Sequence, residues 1–169
     1  MQRTKWIERR FEKIEDNGLL PGIIERLDGT YARLLYKIDG HSNERLSLGN
    51  NGSWSVKEEI GHLSDLEPLW YRRVKELIND KTLLSAADMS NEKTHKAHHN
   101  EKEIVILLKD FRIQRDKLIY SLRKLSDEDL LKTAIHPRLQ TPMRIIDLAF
   151  FVAEHDDHHL AQMSYLISL

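Results

Sequence analysis

Apolar residues recur along the chain at intervals of three and four with polar residues between them, and alternating β-branched runs are missing. That period puts side chains on one face of an α-helix, so helices are predicted throughout. A short amphipathic one covers Thr4–Glu15, with Trp6, Ile7, Phe11 and Ile14 on one side. The next spans Pro21–Ile38 on Ile24, Leu27, Tyr31, Leu34 and Ile38; proline suits its first turn, and Asp39-Gly40 ends it. A third runs from Ser55 to Asn79 on Val56, Ile60, Leu63, Trp70, Val74 and Leu77. Ser55 and Glu58 have the spacing of a capping box, and Pro68, which removes a backbone donor, predicts a kink. Lys102–Lys124 carries Ile104, Leu108, Phe111, Leu118 and Leu122 in a 4-3 alternation, with Arg115 at a seam position where leucine is expected. The last helix runs from Pro142 to Ile167. Residues 41–53 and 80–99 are polar loops, and His136-Pro137 to Thr141-Pro142 is an extended connection.

Four long amphipathic segments without strands predict an all-α fold, an antiparallel four-helix bundle with an extra short N-terminal helix, as a single domain over residues 1–169. Which helix neighbours which stays open. The composition agrees: 169 residues, 40% hydrophobic and 31% charged, suit one ordered domain with a real core. A net charge of −1 gives no field for nucleic acid or a membrane surface, and the basic N-terminal residues are interleaved with acids. With no cysteine, disulfides, thiolate metal sites and a cysteine nucleophile are excluded. The first residues lack the apolar core of a signal peptide and no long apolar run follows, so the expected location is cytoplasmic.

Candidate chemistry lies in the nine histidines. His155 and His159, four apart, stack on one face of the last helix, inside the stripe formed by Leu148, Phe151, Val152 and Leu166. Two buried imidazoles need partners, and a shared metal ion satisfies both; paired core histidines bonded to carbonyls are the plainer alternative. His158 falls on the flank. A third ligand has to come from another helix, and His62, at the border of the inward face, is the best candidate, against a surface histidine. Glu59, one turn earlier, projects toward the apolar centre. It could be a fourth ligand, an acceptor for a ligand imidazole, a general base, or half of an internal salt bridge. Arg115 either snorkels out of the seam or points into the pocket, where it would pair with Glu59 or bind a substrate carboxylate. Three imidazoles with an open position match a catalytic divalent metal site, zinc or nickel first, with iron or manganese accepting the same set.

At these residues the chain resembles the DinB/YfiT-like superfamily: Trp54-Ser55-Val-Lys-Glu58-Glu59-Ile60-Gly61-His62-Leu63, followed by Glu154-His155-Asp-Asp-His158-His159-Leu160-Ala-Gln162. The resemblance covers about residues 22–168. It implies a four-helix bundle of unusual crossover order, often a homodimer, and a metal held by the histidines that map onto His62, His155 and His159. Relatives include thiol S-transferases using low-molecular-weight thiols and proteins described as metal-dependent hydrolases. The expectation is therefore a metal-dependent enzyme that activates a thiol or water for attack on a small-molecule substrate, with Glu59 and Arg115 assisting. The competing readings are a non-catalytic metal- or ligand-binding stress-response dimer and a structural bundle whose histidines are packing. The segment Asn91–Asn100, with His95, His98 and His99, is a solvated loop or a lid.

Overall fold

A computed structural model describes residues 4–50 and 52–169; the single-domain reading of 1–169 also takes in residues outside these. The elements are α1 (Leu20–Ile38), α2 (Asn43–Leu46), α3 (Val56–Ile78), α4 (Glu92–Lys96), α5 (Ile104–Arg123), β1 (Ala134–Ile135), β2 (Pro142–Met143) and α6 (Ile145–Ile167), with short 3-10 turns between. The four long helices, α1, α3, α5 and α6, form the bundle. Local chemistry starts and stops them where polar groups can close the open helix ends. Proline stands in the first turn of α1, and Gly40 takes φ +75° just after its end. At α3 the capping box closes both ways: Ser55 N donates to Glu58 Oε2 at 2.8 Å, and Glu58 N donates to Ser55 Oγ at 3.1 Å. The α3 assignment continues through Pro68 without a break. α6 starts at Ile145, where the Arg144 amide donates to Asp147 Oδ2 at 2.9 Å.

α1 packs mainly on α6 and α5, and α3 mainly on α5 and α6, so consecutive long helices α1 and α3 are diagonal. The core divides into two apolar clusters along the bundle axis. One contains Leu20, Leu27, Trp70, Val74, Leu118, Leu122, Leu148 and Phe151. The other contains Leu34, Ile60, Leu63, Leu108, Phe111, Leu160 and Met163. α1 and α6 pass from the first cluster to the second, α3 and α5 from the second to the first. The topology is up-down-down-up, and the neighbouring pairs α1–α6 and α3–α5 run parallel.

Between the clusters a buried polar group from each long helix joins one network: Thr30, Glu67, Arg115 and Asp156. Arg115 is fully buried and its N–H groups are shared out completely. Nε and Nη2 donate to Glu67 Oε1 at 3.1 and 2.6 Å. Nη1 and Nη2 donate to the Asp156 carboxylate at 2.6 and 3.0 Å, and Nη1 also reaches Leu27 O at 3.0 Å. Thr30 Oγ1 donates to Asp156 Oδ2 at 2.7 Å. Burial works against the guanidinium's charge, but Asp156 and Glu67 outweigh it and raise the Arg115 pKa. Burial raises the Glu67 carboxyl despite Arg115 beside it. Arg115 therefore neither snorkels outward nor meets Glu59. Two carboxylates within reach inside the bundle compensate its burial.

Three further expectations change. The predicted helix over Thr4–Glu15 is only a 3-10 turn, Trp6–Glu8, followed by extended chain lying along α6. So short a helix is marginal on its own. The extended strap instead places Phe11 against Phe150 and Phe151 and gives its backbone fixed partners. Ile14 N donates to Asp147 Oδ1 at 2.8 Å, Arg138 Nη1 donates to Ile7 O at 2.9 Å, and Arg144 Nη2 donates to Ile14 O. The supposedly strand-free chain contains an antiparallel ribbon, Ala134 opposite Met143 and Ile135 opposite Pro142. The extended connection before the last helix is the turn of that ribbon, closed by His136 N donating to Thr141 O at 2.9 Å. Among the described residues no helix is long and apolar enough to cross a membrane.

Removing Arg115 alone strands two buried carboxylates, so Arg115→Met is expected to cost about 3–5 kcal/mol of unfolding free energy in urea denaturation. Combining it with Glu67→Met and Asp156→Leu should recover most of that loss. A single substitution without measurable cost would show that the pairing does not hold the bundle.

Candidate metal centre

His155 and His159 come from α6 and His62 from α3, and all three are buried. Each offers a ring nitrogen such that the three atoms lie within 4.8 Å of one another. The rings are close as well: His155 to His159 at 4.4 Å between centroids, His62 to His159 at 4.7 Å and His62 to His155 at 5.4 Å.

Neighbouring residues set the tautomers. His159 Nδ1 lies 2.5 Å from Glu59 Oε2. A carboxylate only accepts, so Nδ1 carries the proton and Nε2 is left bare. His62 Nδ1 is 3.1 Å from Thr94 Oγ1, whose own hydroxyl donates to Asp65 Oδ2 at 3.1 Å. The single Thr94 proton being spent, the hydroxyl accepts from His62, which again leaves Nε2 bare. Asp65 also accepts from His99 Nε2 at 2.9 Å. Burial alone would raise the Asp65 carboxyl, but His99 and Lys93 hold it below the usual range. His155 Nε2 stands 3.1 Å from His159 Nε2, and the buried His155 Nδ1 has no hydrogen-bond partner among the described residues. Burial, reinforced by the neighbouring imidazoles, pushes His62 down to about 3 and His155 well below its ordinary value. Neutral, proton-free nitrogens converging from two helices are what a divalent cation requires, and the donor set fits one.

Glu59 thus stands as the acceptor that orients His159. Neither it nor Arg115 is among the residues lining the adjoining cavity. Arg115 acts at a distance, through Asp156, on the helix turn that carries His155. Of the loop histidines, His99 is buried and supports Asp65, while His95 is exposed with its ring 5.8 Å from Trp54 and does not line the cavity. The His99 ring crosses α3 where Gly61 has no side chain; a Cβ there would sit 2.3 Å from the ring. In the sequence Asp65 and Thr94 carry no expected role, His99 stands only in a solvated loop or lid, and Trp54 only in the family motif; the glycine beside His62 is the one local signal of the His99 contact.

The cavity next to the histidines is about 490 Å³. Trp6, Trp54, Trp70 and Phe151 form its aromatic walls, and the crossover residues Ala86–Met89 and the turn residues His136 and Arg138 close it. Both nitrogens of the His136 ring face donors: Arg73 Nη1 at 3.0 Å, and the amides of Arg138 and Leu139 at 3.3 and 3.2 Å. Burial first, then the charges of Arg73 and Arg138, push this imidazole down to about 3.

Residues 21–163 match the DinB superfamily. The chain belongs to the DinB superfamily. Among solved structures it is similar to YfiT from Bacillus subtilis, described as a probable metal-dependent hydrolase with an unusual four-helix bundle topology. The TM-score is 0.80 at 19% identity, covering 94% of this chain and 91% of that one. At that identity the likeness establishes the shared fold. A search of the curated proteins returns no significant match.

Losing the acceptor behind one ligand loosens its tautomer and orientation. Glu59→Gln and Thr94→Val are each expected to weaken divalent-ion affinity about 10- to 100-fold in chelator competition; unchanged affinity would remove these residues from the site. His136 titrates below its unfolded value, so the unfolded chain binds a proton that the native one refuses. Its contribution to stability is complete above about pH 6.5 and is lost progressively as pH falls toward about 3. The fall in melting temperature over that interval should be smaller in His136→Asn than in the parent protein.

Proposed function

We propose that the chain is a metal-dependent enzyme acting on a small molecule held in the aromatic cavity, with hydrolysis as the leading reaction. His62, His155 and His159 would hold the ion, zinc or nickel first, with iron or manganese accepted by the same donors. The single observation that carries this reading is the pair of ring nitrogens, His155 Nε2 and His159 Nε2, 3.1 Å apart beside an open cavity, with the His159 proton already committed to Glu59. A divalent ion there supplies Lewis-acid activation of a water or thiol nucleophile.

The protein's own residues do the rest. Glu59 and Thr94 keep two imidazoles in the tautomer that turns Nε2 toward the centre. The aromatic walls exclude water and bind an apolar substrate body. Asp156, locked by Arg115, fixes the turn of α6 that presents His155. A low-molecular-weight thiol as co-substrate is the second reading. The likeness to YfiT, described as a probable metal-dependent hydrolase, favours water over thiol.

The test begins with elemental analysis of protein purified without a histidine tag. The expected result is near one equivalent of a divalent metal, lost in His155→Ala. Ester and amide substrates, and an electrophile with added thiol, then discriminate the two nucleophiles. Full activity retained in His155→Ala, or no metal even after reconstitution, would overturn the proposal.

A further inference from the structure

The cavity wall away from the three histidines holds an excess of cationic and hydrogen-bond-donating groups. Arg73, on α3, is buried, and its Nε donates to Ser85 O at 2.9 Å. Its Nη1 is directed at His136, an imidazole that already faces two backbone amides. Arg138 spends Nη1 on the carbonyl of Ile7, while its buried Nη2 has no hydrogen-bond partner among the described residues. Among the described residues neither arginine is in a salt bridge. The nearby Glu76 gives both its oxygens to Ser85, at the backbone amide and at the hydroxyl. Asp88 also lines the cavity, but its carboxylate is occupied by the Ser90 amide and hydroxyl and the Glu92 amide. Glu76 acts on Arg73 only through space, and partly desolvated guanidinium groups without a salt bridge are costly, a cost that a ligand anion lowers.

The rest of the wall suggests what the anion is attached to. Arg73 sits over the Trp70 ring at 5.2 Å, and Arg138 lies near both Trp6 and Phe151, at 5.8 and 5.7 Å. Trp6 contacts Phe151 and also His155, each at 5.0 Å. An aromatic surface thus runs from the arginines to the metal centre.

We propose that Arg73 and Arg138 form an anion subsite, and that the substrate is a small acid with a flat apolar body, its carboxylate or phosphoryl group on the arginines and its reacting bond at the histidines. The substrate class rests on the enzymatic reading above; the subsite itself does not, and is tested without turnover.

All three tryptophans of the chain line this cavity, so intrinsic fluorescence reports its occupancy. The full-length protein is titrated with phenylacetate, phenylphosphonate and the neutral phenylacetamide, as purified and after chelation. At least one acid should bind about tenfold or more tighter than the amide, and that preference should survive chelation. Preference for phenylacetate marks a carboxylate site, and preference for phenylphosphonate a phosphoryl site. Arg138→Gln should abolish the discrimination, with phenylacetamide binding in the same variant as the reference for any change in the cavity wall. Arg73→Gln is the second variant, because Arg73 also holds Ser85. Acids binding no better than the amide, a preference that vanishes on chelation, or discrimination intact in both variants would each overturn the subsite. Absence of metal would defeat the enzymatic reading and leave these titrations unaffected.

Discussion

Arg115 keeps its charge in the middle of the bundle because Glu67, Asp156 and the carbonyl of Leu27 together take up all its donors, while Thr30 donates to the same Asp156. Hydrophobic burial holds four helices together but is indifferent to sliding along their axes. A bidentate guanidinium is not indifferent: a shift of one helical turn would separate charges that the apolar clusters on either side cannot solvate. The polar layer therefore sets the axial register of α1, α3, α5 and α6. The histidine cluster inherits that register, because Asp156 follows His155 directly and Glu67 lies little more than a turn beyond His62.

This arrangement explains which features were legible in the chain. Helices were visible because their apolar stripes are regular, and Ser55 with Glu58 announced the start of α3. The three histidines were visible because two share a face by spacing and the third follows that cap. The oddity of Arg115 was visible; its partners were not, although Glu67 and Thr30 each interrupt an apolar stripe in the same manner. A polar residue in one stripe is ambiguous, and only the three-dimensional register shows that four such interruptions meet at one level. The N-terminal strap was misread because Trp6, Phe11 and Ile14 have helical spacing, while tertiary contacts with α6, Asp147 and Arg138 favour an extended path.

Two kinds of support surround the histidines. Glu59 and Asp156 come from the long helices. Thr94 and His99 come from the crossover between α3 and α5, where Asp65 gathers both on one carboxylate oxygen. Gly61 admits the His99 ring, so the helix and the crossover are fitted to each other at this point. The sequence feature closest to a marker for this contact, a glycine within a helix, is easily taken for a weakness of α3.

The parallel packing of α3 and α5 obliges the chain to return the length of the bundle between them. A helix of 23 residues is about 34 Å long, whereas residues 79–103 can extend to roughly 80 Å. The surplus is folded into α4 and into the wall formed by Ala86–Met89. The three histidines thus belong to the rigid scaffold, and much of the cavity wall belongs to slack chain. Grafting a different return segment between the same two helix ends, with Thr94 and His99 kept, would reshape the cavity while the scaffold retained its histidine cluster.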